Sequence, residues 1–518
     1  MAVAQVLSRA QLGLDAPLVQ IEAFLGRGLP GFSIVGLPAP VVRESRERVR
    51  SAILNSGYAF PPGRITVNLA PVELAKDGGR YDLPVALALL MASGQLRLQR
   101  DAPPECFGEL GLSGELRSVR GLLLAAVQCA RAGHEMVVPS PNLPEVRLAR
   151  LGGAFGFRDL RSACQFLSRI PAPGSPECPA TTETVSLMEQ SCSLEDVKGQ
   201  WRAKRALVVA AAGGHSLLMV GPPGSGKTLL ATRLPPLLPP LTETEALEVA
   251  AIASIGPQGF DPLRWGRRPF RAPHHAASAN AIVGGGSRLR PGEISLAHHG
   301  VLFLDELPEF DRRVLEALRE PLESGTITLA RAASRLNLPA EFQLVAAMNP
   351  CPCGYLGDPM RACRCGPRRV QRYRERLSGP LLDRIDLCID VGRVEAGALL
   401  HPGAAEPDGV GLAAAVRSAR CRQLRRQQRC NARLDPAGVA RHCRASPPAA
   451  RVMERVGRHL GLSARGFHRL LKVARTIADL EGEAADEAAG GLIGPDHITE
   501  AASFRLAAGL VSGPFTGS

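Results

Sequence analysis

Short apolar runs and longer amphipathic stretches alternate along most of this chain, and their order divides it into regions. Residues 1–170 mix β-like runs with helical stretches, which is typical of an α+β domain. A segment rich in Pro, Gly, Ser and Thr at 171–193 indicates a linker. Over 194–394 apolar strands alternate with helical patterns, which predicts a parallel α/β sheet. Residues 395–518 are mainly helical, so the pattern predicts an α/β protein with a helical domain last.

The length and composition of the chain agree with this division. Its 518 residues correspond to about three domains of roughly 150 residues. Apolar residues make up 45% and charged residues 21%, which excludes a disordered chain, a fibrous protein and a small disulfide scaffold. No apolar run approaches the roughly 18 residues that span a bilayer, and the first residues lack the pattern of a signal peptide. We therefore expect a cytoplasmic protein without a membrane partner.

The charge balance indicates what kind of partner to look for. The chain has 62 basic and 49 acidic residues, which gives a net charge of +13. Such an excess favours a nucleic acid partner, although a solvated basic surface explains it equally well. Aromatic residues are only 4% of the chain, so few bases could stack on the protein. Binding through the DNA backbone, independent of sequence, fits this composition better.

A glycine-rich loop between an apolar strand and a helical stretch predicts a nucleotide site. Residues 221–228 match the pattern G-x-x-x-x-G-K-[ST] in the strand–loop–helix context that the motif needs. Glycines let backbone N–H groups curl around phosphate oxygens, and the next helix presents its positive end. Lys227 would reach the β- and γ-phosphates, and the Thr228 hydroxyl would bind Mg²⁺. The predicted ATP-binding residues of the loop are Gly221, Pro222, Pro223, Gly224, Ser225, Gly226, Lys227 and Thr228.

Two later strands end in polar residues. A run of apolar residues leads directly into Asp305 and Glu306. In a P-loop fold this sheet edge holds an Asp that supports the metal and a carboxylate that polarises the attacking water. We therefore assign Asp305 to Mg²⁺ and Glu306 to the water. The run 342–347 is followed closely by Asn349, whose amide could hold the water against the γ-phosphate; a simple turn is the alternative.

Together these motifs resemble those of AAA+ ATPases. Segments 271–275 (RAPHH) and 290–297 (RPGEISLA) are similar to the magnesium-chelatase-like branch. Segment 76–89 (KDGGRYDLPVALAL) is similar to the part of Lon protease that bears its catalytic serine. Over nearly the whole chain, this combination resembles the ComM/YifB family of competence-related ATPases. The resemblance implies a Lon-protease-like first domain, an AAA+ core and a helical lid.

The resemblance also implies roles for two arginines. Segment 378–386 (SGPLLDRID) is similar to the family segment that supplies an arginine finger to the neighbouring subunit's ATP, which implies Arg384 as the finger. Arg465 resembles the lid arginine that senses phosphate, and 196–200 (DVKGQ) resembles the linker beside the adenine. An ordinary surface residue is the alternative in each case. A finger that acts on a neighbour implies a ring, for which we expect a homo-hexamer.

The Lon-like segment lacks the residues for peptide hydrolysis. The position of the Lon serine falls on Arg80, and that of its activating lysine falls on Leu123. A Ser–Lys dyad needs a nucleophile and a desolvated amine within hydrogen-bonding reach. We therefore expect a domain that keeps the fold, has no peptidase activity, and serves ring formation or DNA contact.

A loop at 351–366 carries two C-x-C units. Four thiolates can hold Zn²⁺ in a tetrahedral site. C-x-C is tighter than the usual ligand spacing, so four reduced thiols in a turn are the alternative. The candidate zinc ligands are Cys351, Cys353, Cys363 and Cys365.

The resemblance and the positive charge together predict a DNA motor. We expect a ring-forming ATPase, with ATP and Mg²⁺ as cofactors, that moves DNA strands by branch migration or helicase action in homologous recombination and natural transformation. Single-stranded and branched DNA, and other recombination proteins, are the expected partners. In related ATPases a hairpin at the position of Arg331 and Arg335 points into the ring pore, which makes both candidate DNA contacts.

Two other functions stay open. One is the motor subunit of magnesium chelatase, against which the Lon-like first domain argues, since that subunit is expected to begin near its P-loop. The other is a nucleic-acid-binding scaffold that does not hydrolyse ATP. Four residues together argue against the scaffold: Lys227, Asp305, Glu306 and Arg384.

Overall fold

The computed structural model describes residues 2–36, 40–74, 76, 78–99, 102–168, 194–286, 289–331, 334–394, 409–482 and 491–505. The predicted linker at 171–193 therefore lies outside the described residues. The chain divides into two compact units, Met1–Leu187 with Glu243–Trp265, and Met188–Thr242 with Gly266–Ser518. Within the described ranges, no helix is long and apolar enough to cross a membrane.

A seven-stranded mixed sheet, in the order β3-β4-β2-β1-β5-β8-β9, forms the centre of the first unit. Its β1–β2 and β2–β4 pairs are antiparallel and its other pairs are parallel. Strands β6 and β7 form a separate antiparallel pair. The strands are β1 (Ala2–Arg9), β2 (Leu18–Gly26), β3 (Gly31–Val35), β4 (Arg64–Ala70), β5 (Glu105–Cys106), β6 (Glu109–Leu110), β7 (Leu116–Arg117), β8 (Met136–Pro139) and β9 (Ala154–Phe157).

One buried helix forms much of the core of this unit. Helix α2 buries every residue except Met91, and it packs against β1, β2 and α1. On β4 the alternate residues Ile65, Val67 and Leu69 are buried, as the period of a strand with one face on the core requires. The helices are α1 (Pro40–Asn55), α2 (Asp82–Ala92), α3 (Leu122–Ala132), α4 (Leu143–Arg147) and α5 (Leu160–Leu167).

The second unit contains a five-stranded parallel sheet in the order β11-β14-β17-β10-β18. Every residue of β10, β14 and β17 is buried, which explains why these strands are unbroken apolar runs in the sequence. The predicted fold class is confirmed. The strands are β10 (Leu217–Val220), β11 (Phe270–Arg271), β14 (Val301–Leu304), β17 (Gln343–Met348) and β18 (Leu387–Asp390), with the antiparallel pairs β12 (Gly284–Gly285) with β13 (Arg290–Pro291) and β15 (Thr326–Arg331) with β16 (Ser334–Pro339).

The helices after β18 pack against α6 and one another. Along α19, the residues Leu470, Val473, Ala474 and Ile477 are buried at the spacing of one helix face. This face contacts α6, α16 and α20. The helices are α6 (Trp201–Gly213), α7 (Lys227–Thr232), α8 (Leu234–Leu237), α9 (Glu243–Ile255), α10 (Ala279–Val283), α11 (Glu293–Leu296), α12 (Arg312–Ala317), α13 (Arg319–Ser324), α14 (Pro367–Arg374), α15 (Gly379–Leu382), α16 (Gly409–Gln427), α17 (Pro436–His442), α18 (Pro447–His459), α19 (Ala464–Glu481) and α20 (Pro495–Ser503).

Helix α9 differs from the sequence-based division. The sequence pattern predicts that it belongs to the ATPase core at 194–394, but the structure groups Glu243–Trp265 with the first unit. There α9 packs against α3, and Ala251 and Ile255 contact the cluster that includes Phe107. The apolar pattern of α9 predicts a helix but contains no signal for which core covers it.

Candidate nucleotide-binding site

The P-loop, residues 221–228, needs glycine for two reasons. Gly224 and Gly226 have φ values of +77° and +85°, a left-handed conformation that side chains disfavour. A Cβ on Gly221 would lie 2.2 Å from the backbone oxygen of Val391, just beyond β18. The loop therefore turns tightly against the neighbouring strand before α7 begins.

Three oxygens hold the ammonium group of Lys227. It donates to the backbone oxygens of Gly221 at 2.7 Å and Pro222 at 2.9 Å, and to Asn349 Oδ1 at 3.3 Å. Burial lowers the pKa of Lys227, against the effect of the two carboxylates at 305 and 306. Strand β17 thus delivers Asn349 to the P-loop, and the structure brings these two predicted site residues together. Phosphate oxygens could replace the three acceptors.

A hydroxyl and a carboxylate meet beside the P-loop. Thr228 Oγ1 donates to Asp305 Oδ2 at 2.9 Å. Asp305 follows the last residue of β14, so the direction of that strand places its carboxylate at the same sheet edge as the P-loop. Oxygen donors of these two kinds are the ligands that Mg²⁺ prefers, so the pair fits the predicted metal site.

Glu306 has a partner that the sequence analysis missed. His275 Nδ1 lies 3.2 Å from Glu306 Oε2, and the His275 ring packs on His274 and edge-on to Phe310. The backbone of Glu306 has a φ of +53°, and its N–H donates to Asp305 Oδ1 at 2.9 Å. In the sequence, the pair His274–His275 carries a family resemblance but nothing that indicates this contact. His275 is therefore a candidate for positioning the Glu306 carboxylate.

A cleft of 410 Å³ lies between the P-loop and the segment that precedes α6. Gln200 lines this cleft, and its Nε2 donates to the backbone oxygens of Ser225 at 2.7 Å and Gly392 at 3.3 Å. Gln200 Oε1 is buried and has no hydrogen-bond partner among the described residues. An adenine amino group is a donor of the kind this oxygen lacks, which fits the predicted position of 196–200. The lining residues are Asp196, Val197, Lys198, Gln200, Pro223, Gly224, Ser225, Gly226, Leu229, Arg393 and Val394.

Arg384 lies at the opposite edge of the sheet. It precedes β18, whose first residue Leu387 pairs with Leu217, the first residue of β10. The P-loop instead follows the last residue of β10. At a rise of about 3.3 Å per residue, a four-residue strand separates the two edges by roughly 10 Å. The structure therefore does not bring Arg384 to the P-loop of its own chain.

Glu323, on α13, binds both predicted arginines. Arg384 Nη2 lies 2.7 Å from Glu323 Oε1, and Arg465 Nη2 lies 3.6 Å from the same oxygen. The Arg384 side chain is 6% exposed and that of Arg465 is 66% exposed. The hydrogen bond from Arg384 lowers the pKa of Glu323, burial opposes it, and the charge of Arg465 adds to the lowering. Nothing in the sequence around Glu323 indicated this position.

Helix α19 is hydrogen-bonded to this edge of the sheet. Arg469 Nη1 donates to the backbone oxygen of Arg384 at 2.5 Å and to Asp386 Oδ1 at 2.7 Å. Asp386 Oδ2 accepts from the backbone N–H of Ser216 at 3.1 Å, directly before β10. Burial acts to raise the pKa of Asp386, but the charge of Arg469, the hydrogen bond with His215 and the charge of Lys472 together outweigh it and keep the pKa well below its usual range. The helix that carries Arg465 is therefore bound to the segment that carries Arg384.

The four predicted cysteine ligands converge. The Cys351–Cys353 Sγ distance is 3.4 Å, and Cys363 Sγ lies 3.6 Å from each of them. All four sulfurs, that of Cys365 included, lie within 4.8 Å of one another. Disulfide sulfurs are about 2.05 Å apart, whereas a tetrahedral zinc site with Zn–S bonds of about 2.3 Å separates its sulfurs by roughly 3.8 Å. The cluster has the dimensions of a metal site.

In the first unit, the two positions compared with the Lon dyad lie near each other. Arg80 Nη2 donates to Gln11 Oε1 at 2.8 Å and to the backbone oxygen of Arg120 at 2.7 Å. Leu123 is buried, and its N–H donates to Glu145 Oε1 at 3.3 Å. Burial raises the pKa of Glu145, and the charge of Arg80 acts against it. A guanidinium and an apolar side chain thus occupy these positions.

The sheet order, the P-loop after β10 and the acid pair after β14 define a P-loop protein of the AAA+ type. Family models match three parts of the chain: "Magnesium chelatase, subunit ChlI" at 193–399, "Subunit ChlI of Mg-chelatase" at 21–142, and "Magnesium chelatase, subunit ChlI C-terminal" at 409–505. The chain belongs to the ComM/YifB family of magnesium-chelatase-like AAA+ proteins, as the sequence predicted.

Three relatives align with almost the whole chain. "Uncharacterized protein YifB" of Salmonella typhimurium is 48% identical over 506 residues, and that of Escherichia coli is 47% identical over 506. Each alignment covers 98% of this chain and 97% of the relative. "Competence protein ComM" of Haemophilus influenzae is 44% identical over 512 residues, with 98% of each chain covered.

Proposed function

We propose that this chain is a ring-forming ATPase that couples ATP hydrolysis to the movement of DNA strands in homologous recombination and natural transformation. The division of the site carries the proposal: Lys227 and Glu306 lie at one sheet edge and Arg384 at the other. One chain thus holds halves of two different sites, which a homo-oligomeric ring, expected to be a hexamer, would join. The name of the Haemophilus relative supports the link to transformation.

The residues of the cleft would divide the work of binding and hydrolysis. The P-loop N–H groups and Lys227 would hold the β- and γ-phosphates. Thr228 and Asp305 would hold Mg²⁺, which neutralises phosphate charge when bound. Glu306, positioned by His275, would accept a hydrogen bond from the attacking water, and Asn349 would orient it.

Arg384 and Arg465 would act on the nucleotide of the neighbouring subunit. A guanidinium can contact two phosphate oxygens at once and neutralise the charge that develops in the transition state. Within one chain Glu323 pairs with both arginines, and it would compete with the neighbour's phosphate for them. Such an exchange of partners links nucleotide binding in one subunit to the conformation of the next.

Exposed arginines supply candidate contacts to DNA phosphates. Arg335 is exposed on the β15–β16 hairpin, whereas the side chain of Arg331 lies outside the described part of the structure. Helix α14 adds exposed residues at Arg368, Arg369 and Arg372. Phosphate contacts of this kind do not distinguish sequences, which supports single-stranded and branched DNA as general substrates. Recombination proteins that share these substrates are the proposed partners.

The experiment that tests the proposal measures ATP hydrolysis with and without forked and four-way DNA, together with movement of a mobile four-way junction. We expect DNA to stimulate hydrolysis, and ATP to be required for junction movement. Lys227→Ala is the control that removes phosphate binding. Hydrolysis that no DNA structure changes, together with an immobile junction, would overturn the proposal.

The descriptions of the matching family models favour a second candidate, the motor subunit of magnesium chelatase. The same assay separates the two, because a chelatase motor needs no response to DNA. The alignment of the competence relative with the whole chain, first unit included, supports the DNA motor instead.

We propose that the first unit is a Lon-like domain without peptidase activity that serves as a scaffold. Arg80 and Leu123 at the dyad positions supply no nucleophile and no amine that could activate one. Unfolded casein should therefore stay intact with the purified protein. Casein cleavage that a substitution in 76–89 abolishes would contradict this. A cytoplasmic location stays a prediction.

A further inference from the structure

The cysteine loop, residues 351–366, packs directly on the P-loop. Gly354, next to the ligand Cys353, has a φ of +84°. A Cβ at this position would lie 2.5 Å from Pro223 Cδ and 3.8 Å from Asn349 Cγ. The glycine therefore lets the cysteine loop approach the nucleotide-binding backbone more closely than any side chain would allow.

The same loop holds an arginine of the nucleotide cleft. The guanidinium carbon of Arg393, which lines the cleft, lies 5.9 Å from the centre of the Tyr355 ring. Arg393 Nε also lies 2.8 Å from Asp358 Oδ2, and that carboxylate is 1% exposed. Asp358 Oδ1 accepts N–H groups of Met360 at 2.8 Å and Arg361 at 3.1 Å, which fixes the carboxylate in the loop. The loop thus contacts two walls of the cleft.

The cysteines close both ends of this loop. Cys351 and Cys353 lie before Gly354, and Cys363 lies after Asp358. Because their sulfurs lie within 4.8 Å of one another, a metal bound to them would join the two ends of the loop. We propose that a thiophilic divalent cation, Zn²⁺, bound by the four cysteines sets the nucleotide affinity of the cleft. It would act through two contacts of the loop: Gly354 against the P-loop, and Tyr355 with Asp358 against Arg393. This depends on the proposed function only in that the cleft binds ATP.

The metal would lower the entropy cost of nucleotide binding, because it would order the loop before the nucleotide binds. Without four Zn–S bonds, the loop must lose conformational freedom when the nucleotide orders Pro223 and Arg393. With the bonds in place, this ordering precedes nucleotide binding. Metal binding and nucleotide binding should therefore be reciprocal, each strengthening the other.

The test uses the full chain with Glu306→Gln, which stops turnover so that binding is measured alone. A fluorescent ATP analogue is titrated into the metal-loaded protein, into protein stripped by a chelator under reducing conditions, and into stripped protein given Zn²⁺. We expect about one zinc per chain by elemental analysis. We expect stripping to weaken binding by about tenfold, which corresponds to about 1.4 kcal/mol, and Zn²⁺ to restore it.

Two variants and a control variant separate the metal effect from loss of folding. Tyr355→Ala should weaken nucleotide binding with the zinc content unchanged, because it loosens Arg393 and leaves the ligands in place. Cys363→Ser should lower both, and Cys421→Ser, at an exposed thiol on α16, should change neither.

A protein that binds no zinc, or a dissociation constant that is equal with and without metal in folded protein, would overturn the inference and leave the proposed function standing. Metal-loaded protein that binds no nucleotide at all would overturn both.

Discussion

The two edges of the parallel sheet in the second unit present opposite chemistry. At the carboxyl edge, Lys227 and Thr228 donate to oxygens that phosphates or a metal could replace or share. At the amino edge, the guanidinium of Arg384 is almost fully buried and paired with Glu323. The first edge is where we propose that the nucleotide binds, whereas the second carries an arginine that lies away from the P-loop of its own chain.

This difference follows from strand direction. Parallel strands bring all their carboxyl ends to one edge, so the residues that follow these strands lie at the same edge as the P-loop. Arg384 precedes its strand and is therefore confined to the other edge. In the proposed ring, a hydrolytic site with both parts would need two chains, and each chain would contribute to two sites.

The largest expected effect comes from removing either half of the proposed two-chain site. Arg384→Ala should leave ATP binding nearly intact and lower hydrolysis by about 10³–10⁵-fold, the usual contribution of an arginine finger. Glu306→Gln should bind ATP without hydrolysing it. Mixed together, the two inactive variants should recover part of the activity, because a subunit with Glu306 can then face a neighbour with Arg384. Steady-state hydrolysis as a function of the mixing ratio measures this.

The mixing experiment contains its own control. Arg384→Ala mixed with Lys227→Ala should also recover activity, whereas Glu306→Gln mixed with Lys227→Ala should not, because both substitutions damage the same edge. Full activity of Arg384→Ala alone would mean that each chain holds a complete site.

The carboxyl edge could be predicted in detail because its signals are local. Asp305 and Glu306 directly follow an apolar strand, and Lys227 belongs to a contiguous motif. Strand period and strand direction were enough to place such residues at one edge. The convergence of the four cysteines could also be predicted, because the two C-x-C units lie close together in the sequence.

The rest depends on contacts between segments far apart in sequence. Glu323 meets Arg384 across 61 positions and Arg465 across 142, by the difference of their residue numbers. No period or motif marks an exposed glutamate on a short helix as their partner. Nothing in the sequence marks Gly354 as a point of close approach, and only its distance from Pro223 shows why a side chain would not fit.

An intermediate effect is expected from His275. If it holds Glu306 in position, His275→Ala should lower the hydrolysis rate by about ten- to hundredfold, since a misplacement of about 1 Å can cost a hundredfold. ATP affinity should hardly change, because His275 does not line the cleft. Single-turnover hydrolysis and equilibrium binding of the ATP analogue measure the two quantities separately.

The conservative variant distinguishes positioning from general damage. His275→Asn keeps an N–H donor and should recover part of the rate. His459→Ala, at an exposed histidine on α18, should behave as the unmodified protein. A rate in His275→Ala equal to that of the unmodified protein would assign Glu306 another support.

The smallest expected effect concerns the carboxylate that joins the two arginines. Removing one partner of a fully buried ion pair costs about 3–5 kcal/mol, but an exposed pair contributes only about 0–1 kcal/mol. The side chain of Glu323 is 48% exposed, so water screens the pair and the lower range applies. Glu323→Gln should therefore reduce the free energy of unfolding by about 1 kcal/mol or less near neutral pH.

The pH dependence of that difference tests its electrostatic origin. Arg384 lowers the pKa of Glu323 in the folded chain, so its stabilising contribution is fully present above the unfolded pKa of about 4.3 and is lost as the pH falls through the folded pKa. Denaturant titrations from pH 7 to pH 3 should show the two proteins converging below about pH 4.3. Glu454→Gln, at an exposed glutamate on α18, is the matched control and should follow the unmodified protein throughout. A difference that stays constant to pH 3 would mean that packing, and not the charge of Glu323, stabilises the amino edge.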